Sequence, residues 1–204
     1  YVQRMMAWLL FDDPAKAAKK HAMQLGLGAA ALTKFSRKKL RMKTTAIEIN
    51  PQVVSACRFW FKLPPDDAKL LVVLADAGVE VRNPVWAGDV DALQVDLYDH
   101  EAAAPVLDSF DFYKDCRNTL TEGGCMTVNL FGEQNKYPDS VEEIAAAFGR
   151  DAVWLFKPTK EGNTVVLAQR TPSRPDRATL EARAADIHAR WGLPAQKWLK
   201  VFKP

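Results

Sequence analysis

Apolar residues along the chain fall into short continuous runs, separated by longer stretches in which apolar and polar positions alternate with a helical period. The runs at residues 22–25, 44–49, 70–74, 90–95 and 126–130 are typical of strands covered on both faces. Helical stretches at residues 29–40, 51–61 and 110–120 lie between them. Because parallel neighbours need crossover helices, this alternation predicts a doubly wound, mainly parallel sheet.

The two ends of the chain extend this sheet. Residues 3–10 are apolar nearly all round, which predicts a short buried helix before the first strand. Two further strands over residues 152–156 and 164–169, joined by a short loop with a glycine, indicate an antiparallel hairpin at the sheet edge. A helix over residues 176–191 follows. The prediction is an α/β fold with a Rossmann-like, mixed, seven-stranded sheet of the class I methyltransferase-like type.

The helix that begins at Pro51 and the three cysteines supply part of the predicted core. We expect the apolar stripe of this helix to consist of Val53, Val54, Cys57 and Trp60 or Phe61. The cysteines, at positions 57, 116 and 125, show no C-x-x-C spacing, so we interpret them as reduced core thiols of a cytoplasmic protein.

Composition narrows the class of protein. The chain has 204 residues, 48% of them hydrophobic, and a formal charge of +3. This size suits one α/β domain over residues 1–204. No run of about eighteen apolar residues occurs, so we expect no membrane span. The basic residues between positions 34 and 43 indicate a solvated helix face rather than a nucleic-acid groove.

A glycine turn and a carboxylate indicate a nucleoside site. Gly26 and Gly28 come after the first strand, and Glu48 ends the second strand. A carboxylate at that point can accept hydrogen bonds from both ribose hydroxyls. The glycine pair would also fit a nicotinamide cofactor, but alanines at positions 29–31 replace the third glycine of the dinucleotide fingerprint.

Further carboxylates follow the third and fourth strands. Asp76 is placed to accept from an adenine amino group, or else to cap a helix. Asp96 and Asp99 lie three residues apart after the fourth strand, where one can hold a cationic amine and the other can take its proton. The histidines, at positions 21, 100 and 188, lack convincing metal partners, and we interpret them as surface or packing residues.

Five segments occur in the order found in spermidine synthases: residues 1–6 (YVQRMM), 24–28 (QLGLG), 46–51 (AIEINP), 74–77 (LADA) and 95–99 (VDLYD). The chain therefore resembles the spermidine synthase-like family of polyamine aminopropyltransferases. The resemblance implies transfer of an aminopropyl group from decarboxylated S-adenosylmethionine to a polyamine, with no metal. We expect the N-terminal β-hairpin domain of the family to be absent.

The resemblance also implies a role for each matching residue. Asp96 would deprotonate the attacking amine, and Gln3 and Asp99 would bind the amine substrate. The nucleoside would contact the glycine turn and the ends of two strands, at Gly26, Gly28, Glu48, Ile49, Asp76 and Ala77.

The chain departs from the family pattern in four places. Aligned on Gln3, Val2 stands where the family has a tyrosine, and Ala29 replaces the carboxylate that recognises the amine of the donor. Leu97, Tyr98 and His100 occupy a loop that the family fills with serine and proline. A late tyrosine is replaced by the segment 158–160 (PTK).

These departures leave two alternatives open: a methyltransferase that uses unmodified S-adenosylmethionine, and a ligand-binding scaffold without catalysis. We expect a cytoplasmic protein with a small-molecule, polyamine-like amine substrate and neither a nucleic-acid nor a membrane partner. A homodimer stays open.

Overall fold

The computed structural model describes residues 1–97, 107–131 and 137–204. In these ranges one sheet contains eight strands: β1 His21–Leu25, β2 Lys43–Glu48, β3 Leu70–Leu74, β4 Val90–Val95, β5 Leu120–Leu130, β6 Val153–Phe156, β7 Thr164–Gln169 and β8 Phe202–Lys203. Their order across the sheet is β3-β2-β1-β4-β5-β7-β6-β8. The first five strands pair in parallel, and β7, β6 and β8 add antiparallel pairs.

Helices connect and cover the strands. The α-helices are α1 Ala31–Lys34, α2 Pro51–Phe59, α3 Ala77–Glu80, α4 Phe110–Thr119, α5 Tyr137–Phe148, α6 Arg177–Trp191 and α7 Ala195–Trp198. Short 3₁₀-helices cover Arg4–Phe11, Pro14–Lys19, Pro84–Trp86 and Arg150–Ala152, and Phe35–Lys39 forms a π-helix. No helix in the described ranges is long and apolar enough to cross a membrane.

Capping residues explain where several helices begin. The side chain of Asn50 accepts from the N–H of Gln52, and Pro51 occupies the first position of α2, where its fixed φ suits a helix. The Asp176 carboxylate likewise accepts from the N–H of Thr179 at the start of α6. Polar residues immediately before apolar stretches therefore set these boundaries.

Alternating strand residues feed three apolar clusters on the two faces of the sheet, and the smallest contains Ala46, Cys57 and Leu70. On one face, Met5 to Leu10 of the first 3₁₀-helix pack with residues of α6 such as Ile187. On the other, Phe112 and Tyr113 of α4 pack with Ile144 of α5. This layering confirms the predicted doubly wound arrangement, and it confirms the buried helix before β1.

The helix after the glycine turn differs from its prediction over residues 29–40. Ala30 adopts a left-handed backbone with φ of +58°, so the helix begins at Ala31. After one α-helical turn the segment continues as the π-helix. Helix propensity alone suggested a longer regular helix, but the turn that leads into it uses the alanines for a different backbone conformation.

The predicted apolar stripe of α2 is wrong at its end. The helix stops at Phe59, and Trp60 and Phe61 are 71% and 46% exposed. Cys57 does face the core, as predicted, and Cys116 and Cys125 are also buried and free. The stripe fails because the chain leaves the helix one residue before Trp60 and the periodic pattern no longer applies.

The sheet also has one strand more than the seven predicted. The eighth, β8, has two residues and pairs with β6, so that Leu155 lies opposite Lys203 and Phe156 opposite Phe202. A strand this short has no alternating pattern to detect. Phe202 is buried and stacks on Phe156 with ring centroids 4.3 Å apart, which fixes this end of the chain on the sheet.

Candidate active site

The carboxyl ends of β1 to β4 meet at one edge of the sheet, and a cavity of about 630 Å³ opens there. We call it the nucleoside cavity. Its described lining comprises Tyr1, Gly26, Gly28, Ile47, Glu48, Ile49, Asn50, Val53, Ala75, Asp76, Ala77, Asp96, Leu97 and Leu107. The structure thus brings together all six residues predicted to bind the nucleoside, and the proposed base. Ligands of open parallel sheets bind at this edge.

Glu48 is held in place by two backbone N–H groups. Its two carboxylate oxygens accept from Leu27 and Asn50, each at 2.9 Å, and the residue is buried. Each carboxylate oxygen has a second lone pair, so both can still accept from a ligand hydroxyl. Glu48 is therefore oriented before any ligand arrives.

The glycine turn brings backbone close to the end of β4. Gly26 has φ of +86°, and a Cβ atom there would lie 2.4 Å from the carbonyl oxygen of Asp96. Gly28 also has a positive φ, of +49°, but a Cβ there would meet no atom within 4 Å. Gly26 is thus required for space and conformation, and Gly28 for conformation alone.

Asp76 caps a helix, one of the two roles that the sequence left open, and it also lies where the other role would place it. One of its carboxylate oxygens accepts from the N–H of Val79 at 3.0 Å and caps α3, and the residue also lines the nucleoside cavity. Ala77 is buried in the cavity wall, whereas Ile49 is 65% exposed at its rim. An exposed isoleucine at the rim offers an apolar surface to a ligand.

Asp96 lies among donors from distant parts of the chain. The hydroxyl of Tyr1 donates to one carboxylate oxygen at 3.1 Å, and the amide of Asn129 donates to the other at 2.8 Å. Asn163 in turn donates to the Asn129 carbonyl oxygen at 3.0 Å. Burial raises the pKa of Asp96 above the ordinary aspartate value, although both hydrogen bonds oppose the rise. A carboxylate with a raised pKa is a better proton acceptor.

Tyr1 lies at the site although the sequence predicted no role for it. With the chain aligned on Gln3, Val2 was expected in place of the tyrosine, but Val2 does not line the nucleoside cavity and Tyr1 does. Loss of water and the charge of Asp96 raise the pKa of Tyr1 to about 12, so its hydroxyl keeps its proton and donates. The sequence does contain a tyrosine, but it lies one position before the place that alignment on Gln3 gives it.

Buried polar contacts hold the Tyr1 segment on the sheet. The carbonyl oxygen of Met5 accepts from the side chains of Gln94 and Thr127, each at 3.0 Å, and Gln94 also accepts from Gln24. These side chains come from the neighbouring strands β1, β4 and β5. They fix the start of the 3₁₀-helix and thereby place Tyr1 beside Asp96.

The two predicted substrate-binding residues do not join this cluster. Gln3 is exposed and lines a neighbouring depression rather than the nucleoside cavity. Asp99 lies outside the described residues. Among the histidines, His21 is buried, with ring nitrogens 2.9 Å from Asp89 and 2.9 Å from Thr45, and His100 lies outside the described residues.

The described lining of the nucleoside cavity carries the three carboxylates of Glu48, Asp76 and Asp96 and no lysine, arginine or histidine side chain. An acidic cavity favours a positively charged ligand. No group of three or more histidine, cysteine, aspartate or glutamate side chains able to hold a metal ion occurs among the described residues.

Comparison with known proteins gives relatives along the whole chain. No protein-family model matches. Polyamine aminopropyltransferases of Chromobacterium violaceum and Neisseria meningitidis are 32% and 31% identical over 206 residues, covering 100% of this chain and 76% of theirs.

Solved structures share the fold. Human methyltransferase-like protein 13 in complex with SAH superposes with a TM-score of 0.80, at 19% identity over 93% of this chain and 90% of that one. A probable spermidine synthase from Corynebacterium glutamicum gives 0.70, at 19% identity over 94% and 72%. Spermidine synthase from Thermotoga maritima gives 0.61, at 19% identity over 83% and 61%. The relatives match this chain along its whole length, and the solved structures share its fold. This chain therefore belongs to the polyamine aminopropyltransferase, or spermidine synthase-like, family.

Proposed function

We propose that this protein transfers an aminopropyl group from decarboxylated S-adenosylmethionine to the amine of a small, polyamine-type acceptor. The observation that carries the proposal is the Asp96 carboxylate, held by Tyr1 and Asn129 in the wall of an acidic cavity. The relatives named polyamine aminopropyltransferase support the same reaction class.

In the proposed reaction the acceptor nitrogen attacks the aminopropyl carbon next to the sulfonium sulfur. A carbon–nitrogen bond forms, the carbon–sulfur bond breaks, and its electron pair stays on sulfur in the departing methylthioadenosine. The proton lost by the acceptor ammonium passes to Asp96. This displacement needs little covalent help, so positioning supplies much of the acceleration.

The other carboxylates bind the nucleoside. Glu48 accepts from the two ribose hydroxyls through its remaining lone pairs, and Asp76 accepts from the adenine amino group through the oxygen not used in capping α3. Ile49 and Ala77 provide apolar contacts to the base, while Gly26 and Gly28 let the backbone approach the ligand. No metal takes part in these steps.

The charge of the nucleoside cavity selects between the two donors. S-adenosylmethionine carries a carboxylate that the decarboxylated compound lacks. The described lining holds three carboxylates and no cationic side chain, so the donor without the carboxylate fits better. A methyltransferase that uses unmodified S-adenosylmethionine is the second candidate, and it is favoured by Ala29, which stands where the family has a carboxylate for the donor amine.

Calorimetry with S-adenosylmethionine, its decarboxylated form and methylthioadenosine tests the proposal. We expect the decarboxylated donor to bind more tightly than S-adenosylmethionine and to release methylthioadenosine when an amine is added. If none of the three binds, the proposal is wrong. If S-adenosylmethionine binds more tightly and yields a methylated amine, the methyltransferase alternative replaces it.

A further inference from the structure

A second depression, of about 580 Å³, lies beside the nucleoside cavity, and Tyr1 lines both. Three separate segments form it: the start of the 3₁₀-helix, the loop between β6 and β7, and the region around α7. We call it the acceptor depression. Tyr1, whose hydroxyl donates to Asp96, forms part of the wall of the depression, so the depression borders a residue that holds the proposed base.

The charge of the acceptor depression is opposite to that of the nucleoside cavity. Its lining includes three cationic side chains, Arg4, Lys160 and Lys197. In the part of the chain that the structure describes, none of the three has a carboxylate within ion-pairing distance. The depression therefore contains three cationic side chains without a close ion pair among the described residues, although the charge of Glu161 acts on Arg4 and Lys160.

One carboxylate, Glu161, also lines the depression. It is exposed, and hydrogen bonds from its own backbone N–H and from Thr159 lower its pKa. Its lone pairs are thus partly used by its own loop. One solvated carboxylate does not neutralise three cations.

Arg4 is the best-placed of the cations. It is half-buried, one Nη donates to the carbonyl oxygen of Lys157 at 2.6 Å, and the guanidinium lies 5.2 Å from the centre of the Phe156 ring. These contacts fix the plane of the group but use one of its five N–H donors. Burial lowers the pKa of Arg4, and the charge of Glu161 opposes this shift.

A dicationic diamine would place its second ammonium among these cations, which is unfavourable. A guanidinium held in one orientation, with free N–H groups, binds a carboxylate through two parallel hydrogen bonds. We propose that the acceptor is an aliphatic amine that also carries a carboxylate, which Arg4 binds, with Lys160 and Lys197 contributing charge, while the amine faces Asp96. This inference rests on the aminopropyl transfer proposed above.

Matched pairs of acceptors test the inference. L-Ornithine and L-lysine are 1,4-diaminobutane and 1,5-diaminopentane with one carboxylate added. With the decarboxylated donor saturating, we expect kcat/KM to be at least about tenfold higher for each carboxylated member, since one charge-assisted contact is of that order. Equal values, or a preference for the plain diamines, would overturn the inference and leave the proposed function standing.

Substitutions in the acceptor depression test whether a preference for carboxylated acceptors arises there. Arg4→Gln should lower the ratio of kcat/KM for L-ornithine to that for 1,4-diaminobutane about tenfold, chiefly through KM. Lys200→Gln, at an exposed lysine that does not line the depression, is the matched control and should keep the ratio. If Arg4→Gln does not fold, Lys160→Glu at an exposed position serves instead. An unchanged ratio in the folded variants contradicts the assignment.

Binding without turnover separates the two possible failures. Protein saturated with methylthioadenosine is titrated with L-ornithine and with 1,4-diaminobutane. Tighter binding of L-ornithine supports the inference even where the chemical step is slow, and absence of any such preference overturns it. Failure of every nucleoside to bind in the calorimetry above counts against the proposed function itself.

Discussion

On the nucleoside side of the site, each carboxylate accepts from a backbone group two or three residues further along the chain, and Glu48 also accepts from Leu27, 21 positions earlier. Glu48 accepts from the N–H of Asn50, and Asp76 from that of Val79. On the side of Asp96, the contacts join residues far apart in sequence. Its hydrogen bonds to Tyr1 and Asn129 span 95 and 33 positions, and the bond from Arg4 to Lys157 spans 153.

The two sides therefore depend on the fold to different degrees. A turn that follows a parallel strand brings its own N–H groups to its carboxylate, so the nucleoside side needs little beyond correct βα units. The Asp96 side needs the 3₁₀-helix, β4, β5 and the β6–β7 loop to be packed together. We expect substitutions on the nucleoside side to act on donor affinity, and those around Asp96 to act on the chemical step and its pH dependence.

The largest effect is expected for Asp96→Asn. Loss of the general base should lower kcat by about 10²–10⁴-fold, while donor affinity changes little. Single-turnover release of methylthioadenosine measures the rate of the chemical step, and calorimetry measures the donor affinity. Asp111→Asn, at an exposed aspartate in the first turn of α4, is the control and should leave both unchanged.

The same Asp96→Asn substitution should also stabilise the protein at neutral pH. Because the pKa of Asp96 is raised in the folded state, its contribution to stability is fully present below the unfolded pKa and is lost as pH rises through the folded pKa. The asparagine variant should thus have the higher Tm at pH 7, and the difference should vanish at strongly acidic pH. If the variant and the unsubstituted protein have equal Tm values at both pH values, burial does not destabilise the ionised Asp96 carboxylate.

Glu48→Gln tests the nucleoside side. The amide cannot accept from two backbone N–H groups and two ribose hydroxyls, so donor affinity should fall by roughly 1.5–3 kcal/mol, or at least about tenfold. One buried N–H also loses its partner, which should lower the free energy of unfolding by about 1–3 kcal/mol. Calorimetry measures the donor affinity, and urea titration measures the free energy of unfolding. Glu181→Gln removes an exposed ion pair with Arg177 and should change neither quantity by more than about 1 kcal/mol.

Gly26→Ala and Gly28→Ala compare two glycines of one turn. Both adopt positive φ, so each alanine should cost about 1–2 kcal/mol of stability. At Gly26 the added Cβ also collides with the carbonyl oxygen of Asp96, which should add about 1–3 kcal/mol and displace the base. Urea denaturation measures the loss of stability, and kcat reports the displacement of the base. If both variants lose equal stability and keep kcat, Asp96 does not depend on the close approach at Gly26.

The sequence predicted the fold well where regular patterns are long. Seven strands, the mainly parallel pairing and the terminal hairpin follow from apolar runs and from the crossover rule. The two-residue β8 has no period of its own, and α2 ends before Trp60 for a reason that composition does not reveal. The left-handed turn at Ala30 is equally hidden, because alanine favours helices and the local conformation is set by packing.

The places of the residues on the nucleoside side could be predicted from their positions in the chain, while their binding roles stay predictions. Gly26 and Asp76 follow a strand and Glu48 ends one, which places all three at one edge of the sheet. Asn129, Asn163 and Arg4 could not be found in this way, since their roles arise from pairings across the sheet. Whether Gln3 binds substrate stays a prediction.

Tyr1→Phe gives the smallest and most specific effect. The phenylalanine keeps the ring but removes the hydrogen bond that favours the Asp96 carboxylate, so the pKa of Asp96 should rise further. The base must be ionised to accept a proton, and the acidic limb of the kcat profile should therefore move to higher pH. At alkaline pH, where Asp96 is ionised in both proteins, kcat should differ by less than about tenfold.

The pH profile separates this role from a merely structural one. A tyrosine that served packing alone would lower kcat equally at every pH and leave the limb in place. Val2→Ala, at the neighbouring residue that does not line the nucleoside cavity, is the control and should leave the limb unmoved. A shifted limb for Tyr1→Phe together with an unshifted one for Val2→Ala would show that Tyr1 has the role that sequence alignment on Gln3 had placed at Val2.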